Sequence, residues 1–309
     1  MFKHYSVMLS ECIDNLSIKP NGVYVDCTAG GGGHSYEIAS RLGKDGRLIA
    51  IDKDADAIEE CQKRLKDFKN CTFIHDDFHN YNQILNGLDI EKVDGILIDL
   101  GVSSFQIDTA ERGFSYRFDA PLDMRMDKRQ RLSAYEVVNN YKGEELTKIF
   151  FKFGEEKFSK KIANAIANYR KNKPIETTLE LVDVVESVLP AKVRFSEGHS
   201  CKRIFQAIRI EVNGEIEGLK NVLMDMCKTL NKNGRMCVLT FHSLEDRIVK
   251  ETFKELSTDC ICAKELPVCV CNHKRVCNII TRKPIVASQK ELDENTRSQS
   301  AKLRVVERC

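Results

Sequence analysis

The stretch from Val23 to Asp52 constrains this chain more than any other. Val23-Tyr-Val-Asp26 is a short apolar run ending in an acid, and Gly30, Gly31, Gly32 and Gly33 follow it. His34 to Leu42 reads as a helix, and Gly46-Arg-Leu-Ile-Ala-Ile51 is a second apolar run closed by Asp52. Strand, glycine turn, helix and strand in that order make a βαβ unit, which implies a parallel sheet with right-handed crossovers. Glycines at the turn allow a tight bend and close approach of a ligand to the backbone. Asp52, 19 residues after Gly33, stands where an acid can bind both hydroxyls of a ribose. The unit predicts a nucleoside cofactor above the strand ends; the alternative is a glycine-rich turn with no ligand.

The pattern continues and then changes. Ala57, Ile58, Cys61 and Leu65 share one face of a helix over 55–65, and Thr72–Ile74 and Val93–Asp99 read as the third and fourth strands. From Ser103 to Asp127 the chain is rich in Arg, Asp, Phe and Met without clear period, and Ala134 to Leu189 reads as helices only. Val212, Ile216, Leu219, Leu223, Met226 and Leu230 predict one long amphipathic helix, closed by Asn233-Gly234. Arg235–Thr240 is a fifth strand and Lys302–Glu307 a last one. The expected architecture is a doubly wound, Rossmann-like α/β sheet formed by residues 1–108 and 206–309, with an all-helical domain, 109–205, inserted for substrate recognition.

Composition bounds the setting. Hydrophobic residues are 42% and charged residues 30%, a balance that can bury a core, and no apolar run is long enough for a membrane span. Glu11 and Asp14 interrupt any signal-peptide pattern. Thirteen cysteines, mostly scattered singly, fit a reducing cytoplasm better than a disulfide framework. A net charge of +2 announces no nucleic-acid partner by itself, so any such claim rests on local patches.

The glycine pattern narrows the cofactor. A dinucleotide site usually shows G-x-G-x-x-G, but Ser35 or Tyr36 stands at the third position here. That argues against a nicotinamide-dependent oxidoreductase. Asp26, four residues ahead of the glycines, resembles the first motif of S-adenosylmethionine-dependent methyltransferases. Carboxylates suit a sulfonium and a ribose better than they suit a pyrophosphate. Phe78, after the third strand, can stack on adenine or simply face the core.

Seven motifs in order carry a family resemblance. They are Gly32-Gly33-His34-Ser35, Asp99-Leu-Gly-Val-Ser-Ser104, Arg112-Gly-Phe-Ser115, Leu122-Asp-Met-Arg-Met-Asp127, Phe205-Gln-Ala-Ile-Arg-Ile210, Phe241-His-Ser-Leu-Glu-Asp-Arg247 and Ser300-Ala-Lys-Leu-Arg304. From His4 to Arg308 the chain resembles the bacterial 16S ribosomal RNA cytosine-N4 methyltransferase family. The resemblance implies S-adenosylmethionine as donor, with no catalytic metal, and a decoding-centre cytidine of 16S ribosomal RNA as acceptor, within the small ribosomal subunit. It also implies cofactor contacts at Gly32, Gly33, His34, Asp52, Phe78, Asp99 and Gln106. Two departures stand out: Phe105 replaces the family's usual Pro, and His4-Tyr-Ser6 replaces His-x-Pro.

Transfer from a sulfonium needs no metal or covalent enzyme intermediate. The difficulty is the acceptor, an amine conjugated with its ring. Asp99, at the carboxyl end of the fourth strand, is the candidate catalytic group, acting on the cofactor or on the target amine. His242 is a second candidate catalytic residue and, with Arg247, a candidate substrate contact, while Ser243 with Asp246 fits a helix capping box. Three basic patches are candidate RNA contacts: one with Arg112, Arg117 and Arg125 among aromatics, one with Arg203, and one with Arg297 and Arg304. Cys260-x-Cys262 and Cys269-x-Cys271, with Pro267 between and His273 and Cys277 following, could clamp a structural zinc or be a loop of free thiols. Two other functional readings stay open: a methyltransferase for another nucleic acid or a protein, and a non-catalytic RNA-binding assembly factor.

Overall fold

The computed structural model describes residues 6–194, 200–262, 266, 268–271 and 273–309. His4, Tyr5 and Pro267 of the motifs above lie outside them. Two compact units result, one of residues 1–101 and 217–309, the other of residues 102–216.

The first unit holds one eight-stranded sheet among the described residues: β1 Val23–Asp26, β2 Arg47–Asp52, β3 Cys71–His75, β4 Val93–Asp99, β5 Leu230–Thr240, β6 Cys277–Ile279, β7 Ile285–Val286 and β8 Lys302–Arg308. Their order is β3-β2-β1-β4-β5-β8-β6, with β7 also on β8. β1 to β5 pair in parallel, and β8 runs antiparallel to β5, β6 and β7. The chain winds outward from β1 to β3 and then crosses back to β4, so the switch point lies between β1 and β4.

Alternation explains the two-sided sheet. Val25, Ile49, Ile51, Ile96, Ile98, Met236 and Val238 face one core, with Leu223 and Met226 of the helix Leu219–Thr229 and Val249 and Phe253 of the helix Ser243–Leu256. Tyr24, Leu48, Ala50, Leu97, Cys237 and Leu239 face the other, with Cys12 and Leu16 of the helix Leu9–Leu16 and Ile38 and Ala39 of the helix Gly33–Arg41. Strands buried on both faces read as continuous apolar runs because each neighbouring side chain has its own core to enter.

The expected single helix through 212–230 is two helices, Ser200–Asn213 and Leu219–Thr229. Gly214 and Gly218 adopt φ of +63° and +76°, in the left-handed region that ends one helix and caps the next. The apolar spacing survives the break, which is why periodicity alone bridged it.

The second unit is helical, with its own core. Ala134–Asn140, Gly143–Lys152, Ser159–Tyr169, Thr178–Ser187 and Ser200–Asn213 bury Val137, Phe150, Ile162, Ile166, Val185 and Ile208 together. Phe205 packs in this core too, so that motif belongs with the helices and not with the sheet. Asn213 binds the irregular segment 122–127 to the last helix, accepting from Met126 N at 2.8 Å and donating to the Met124 carbonyl at 2.8 Å.

Gly95 marks a close approach inside the sheet unit. A Cβ there would lie 2.6 Å from Tyr24 Cε1 and 3.0 Å from Leu16 Cδ1. The Tyr24 ring is fully buried and its hydroxyl accepts from Lys19 N at 2.7 Å, so it has little freedom to retreat. Gly95→Ala is expected to cost about 1–3 kcal/mol through overpacking, read as a lower urea midpoint. An unchanged midpoint would show that the ring can yield.

Candidate active site

The carboxyl ends of β1, β2 and β4 bring Asp26, Asp52 and Asp99 to one edge of the sheet, with the glycine turn beside them. Past β1 the backbone stays pinned: Cys27 N donates to Leu97 O and Ala29 N to Ile51 O, both at 2.9 Å. The chain then bends at Gly30 and Gly32, whose φ values of +50° and +75° suit glycine. Asp52 holds this bend, its Oδ2 accepting from Gly30 N at 2.8 Å and its Oδ1 from Asp54 N at 2.9 Å. Burial nevertheless pushes the Asp52 carboxyl up to about 6, with these two amides partly offsetting it.

Residues 32 and 33 are also closely approached by their neighbours. A Cβ on Gly32 would lie 3.1 Å from the Cys61 backbone, and one on Gly33 would lie 1.9 Å from Ser6 Oγ. The departure at Ser6 thus lies against the turn itself.

Asp26 is fully buried and supports the site from beneath. Ser35 Oγ donates to its Oδ2 at 2.6 Å and Thr28 N to its Oδ1 at 3.2 Å. Burial raises this carboxyl to about 6 even so, and the nearby Asp52 adds to the effect. Thr28 ties β1 to β4, its Oγ1 accepting from Asp99 N at 2.6 Å.

Asp99 is the most perturbed carboxyl of the three. It is pushed up to about 8 by burial, then by the charges of Asp26 and Glu245. Its Oδ2 lies 3.9 Å from His34 Nδ1, and its Oδ1 is buried with no hydrogen-bond partner among the described residues. His34, 5% exposed, has its Nε2 3.1 Å from the Val7 carbonyl oxygen, so the imidazole is fixed between that carbonyl and Asp99. Phe78 belongs to the core around Tyr81 and Ile84 and stacks on the His79 imidazole.

Beyond β5, the capping box is one residue earlier than the sequence suggested. His242 is the N-cap of Ser243–Leu256: its Nδ1 accepts from Glu245 N at 3.4 Å, and Glu245 Oε2 accepts from Phe241 N at 2.8 Å and His242 N at 3.3 Å. An imidazole nitrogen replaces the hydroxyl that the Ser243 reading relied on. Asp246, assigned to that box, instead pairs with Arg304, whose Nε donates to Asp246 Oδ1 at 2.6 Å. Arg304 is buried in this pair, while Arg247 is exposed and Arg297 partly exposed.

In the helical unit, Gln106 is buried and closes a capping box with Ser103, accepting from Ser103 N at 3.0 Å. Arg112 is 5% exposed and its Nη2 donates to the carbonyls of Arg125 and Met126 at 2.9 and 3.1 Å, an internal tie. Arg125 grips Asp123 through Nε and Nη2, and Arg203 grips the buried Glu156 at 2.6 Å. Arg117 is exposed, as is Phe118 beside it.

Thr28 was not singled out from sequence, and Ser6, Ser35 and Glu245 entered only as parts of motifs, with no role assigned. Small polar side chains directly after β1 and in the first turn of its helix are the signal that could have drawn attention to Thr28 and Ser35.

A glycine turn flanked by carboxylates at the switch point of a doubly wound sheet defines a Rossmann-like α/β protein. The chain belongs to the MraW methylase family, whose model matches residues 1–309. It is similar to three Clostridium botulinum proteins named ribosomal RNA small subunit methyltransferase H. The protein of strain 657 / Type Ba4 is 57% identical over 304 residues, covering 98% of each chain. Those of strain Kyoto / Type A2 and strain Loch Maree / Type A3 are 56% identical over the same span and coverage. Among the described residues, no helix is long and apolar enough to cross a membrane.

The raised Asp99 carboxyl gives a signed prediction. Between its ordinary value of 3.8 and about 8 the folded chain holds a proton that the unfolded chain has released. Its cost to stability is therefore absent at low pH and grows as pH rises toward 8. Asp99→Asn should gain on the parent in urea midpoint as pH is raised from about 5 to about 9. A difference that does not grow would show that ionisation of Asp99 costs the fold nothing. Ser35→Ala, which removes a donor from a buried carboxylate, should destabilise by about 1–3 kcal/mol at neutral pH. Equal stability of the two chains would discount the Ser35 contact.

Proposed function

We propose that this chain transfers a methyl group from S-adenosylmethionine to the N4 amine of a decoding-centre cytidine in 16S ribosomal RNA. The observation that carries the reading is the pairing of a ribose-binding carboxylate with an acceptor-rich β4 end. Asp52 keeps lone pairs beyond those used by Gly30 N and Asp54 N, and Asp99 Oδ1 is a buried acceptor with no partner among the described residues. A cationic, ribose-bearing donor suits those groups better than a pyrophosphate would. The similarity to ribosomal RNA small subunit methyltransferases H supports a ribosomal RNA acceptor.

The residues would divide the work as follows. Gly30 to Gly33 and Asp52 would hold the adenosine moiety, and His34 would keep Asp99 in place. When bound, the donor supplies an already electrophilic methyl carbon. Asp99 would accept a hydrogen bond from the acceptor amine, orienting its lone pair and taking up positive charge as it develops. Only the ionised carboxylate can receive such a proton; a cationic donor lying beside Asp99 would favour that form over the protonated one that burial favours, and the proton is then returned to solvent. Holding the amine in line is worth roughly 7–11 kcal/mol in favourable cases. The buried Arg112 and Arg304 would shape the protein, leaving the exposed Arg117 and Arg247 as phosphate contacts. The helical unit would recognise the RNA, and the cytoplasm is the compartment where the substrate is met.

Incubation with labelled S-adenosylmethionine and small subunits lacking the modification should place label on N4-methylcytidine. Asp99→Ala should abolish the transfer with the circular dichroism spectrum intact. Label on another base or on protein would reassign the acceptor, and RNA binding without affinity for S-adenosylmethionine would mark a non-catalytic assembly factor.

A further inference from the structure

The connection between the helix Ser243–Leu256 and β6 leaves and re-enters the fold at one point. Val276 N donates to Leu256 O at 2.8 Å, Arg308 Nη1 to Val276 O at 2.8 Å, and Arg275 N to Asp259 Oδ1 at 3.4 Å. Between these ties the described residues have no apolar core of their own. Ile261, Leu266, Val268 and Val270 are between 49% and 70% exposed. Burial of apolar surface therefore does not hold this lobe together, and a lobe of this size needs another staple.

Four thiols meet there. The Sγ atoms of Cys260, Cys262, Cys269 and Cys271 all lie within 4.8 Å of one another. Cys269 and Cys271 are 3.6 Å apart at sulfur, and Cys271 and Cys260 3.8 Å apart. Tetrahedral zinc with Zn–S bonds of about 2.3 Å requires sulfurs about 3.8 Å apart. These separations are too long for a disulfide and match the edges of that tetrahedron. The other nearby candidates are engaged elsewhere. His273 Nε2 lies 2.9 Å from the Glu255 carbonyl oxygen, and Cys277 is buried in the core at β6.

Backbone amides already point at the sulfurs. Cys262 N donates to Cys260 Sγ at 3.4 Å, Ile261 N to Cys271 Sγ at 3.5 Å, and Val270 N to Cys262 Sγ at 3.4 Å. Such donors spread the charge of thiolate ligands around a metal. Each Cys-x-Cys pair contributes two sulfurs, so two short segments interlock at one point.

We infer that Cys260, Cys262, Cys269 and Cys271 bind one structural zinc ion that staples this lobe. Four protein ligands leave no open position for substrate or water, so the ion has no catalytic part. On binding, the four thiols release their protons to solvent and Zn²⁺ takes their place, leaving a cluster of charge −2. No oxidant or reductant is involved.

Metal analysis of the full chain purified under reducing conditions should find about one zinc per chain, and C269S/C271S should hold less than about a tenth of that. Cys309→Ser should retain the metal, since Cys309 lies outside the cluster. Cobalt added to the stripped parent chain should give the intense visible bands of a tetrahedral tetrathiolate, a readout that needs no variant to fold. Absence of zinc together with absence of those bands would overturn the inference, as would iron found in place of zinc.

Discussion

The bond from Gly30 N to the Asp52 carboxylate is the constraint on which the rest of the site depends. It fixes the turn after β1 against the end of β2. The turn in turn starts the helix that carries His34 and Ser35. One of these side chains faces Asp99 and the other supports Asp26. Thr28, within the same loop, carries the tie to β4. Four side chains around one bend thus align three strand ends. The arrangement gathers carboxylates where water is scarce, and burial raises all three. A fold built for stability alone would not collect such groups. Raised carboxyls gathered at the strand ends of such a sheet are a mark of a functional site.

Several of the basic residues are tied into the fold itself. Arg112, Arg125, Arg203 and Arg304 stood out in sequence as members of three basic patches that could meet RNA. In the folded chain each has an internal partner: two carbonyls, Asp123, Glu156 and Asp246 respectively. A guanidinium with five donors is well suited to bind irregular backbone, as Arg112 does for the segment around Met126. Loops dense in arginine and aspartate, such as 112–131, hold their shape with ion pairs and carbonyl contacts because they lack regular backbone pairing.

The parallel sheet was legible because its strands are buried on both faces and separated by amphipathic helices. β6 and β7 were not, since three and two residues are too few to show a pattern. The break at Gly214 and Gly218 was hidden because the apolar spacing on either side stays in phase. Asp26, Asp52 and Asp99 could be marked in advance, each ending an apolar strand. Ser6, Thr28, Ser35 and Glu245 could not, because their importance lies in hydrogen bonds formed only once distant segments meet. His242, marked in advance as a candidate for catalysis or substrate contact, also caps a helix, a role that the sequence pattern assigned to its serine neighbour.

The place of β8 has a consequence for how the chain is made. That strand lies between β5 and β6, inside the sheet, yet it is formed by residues 302–308. The helical unit is a continuous run that ends at residue 216. During translation it can fold as soon as it clears the ribosome, whereas the sheet must wait with β5 presenting an unpaired edge until residues 302–308 have been made. At 5–20 residues per second, the stretch from 241 to 301 leaves that edge open for roughly 3–12 seconds. Such an interval is long compared with collapse and exposes an apolar strand to other nascent chains.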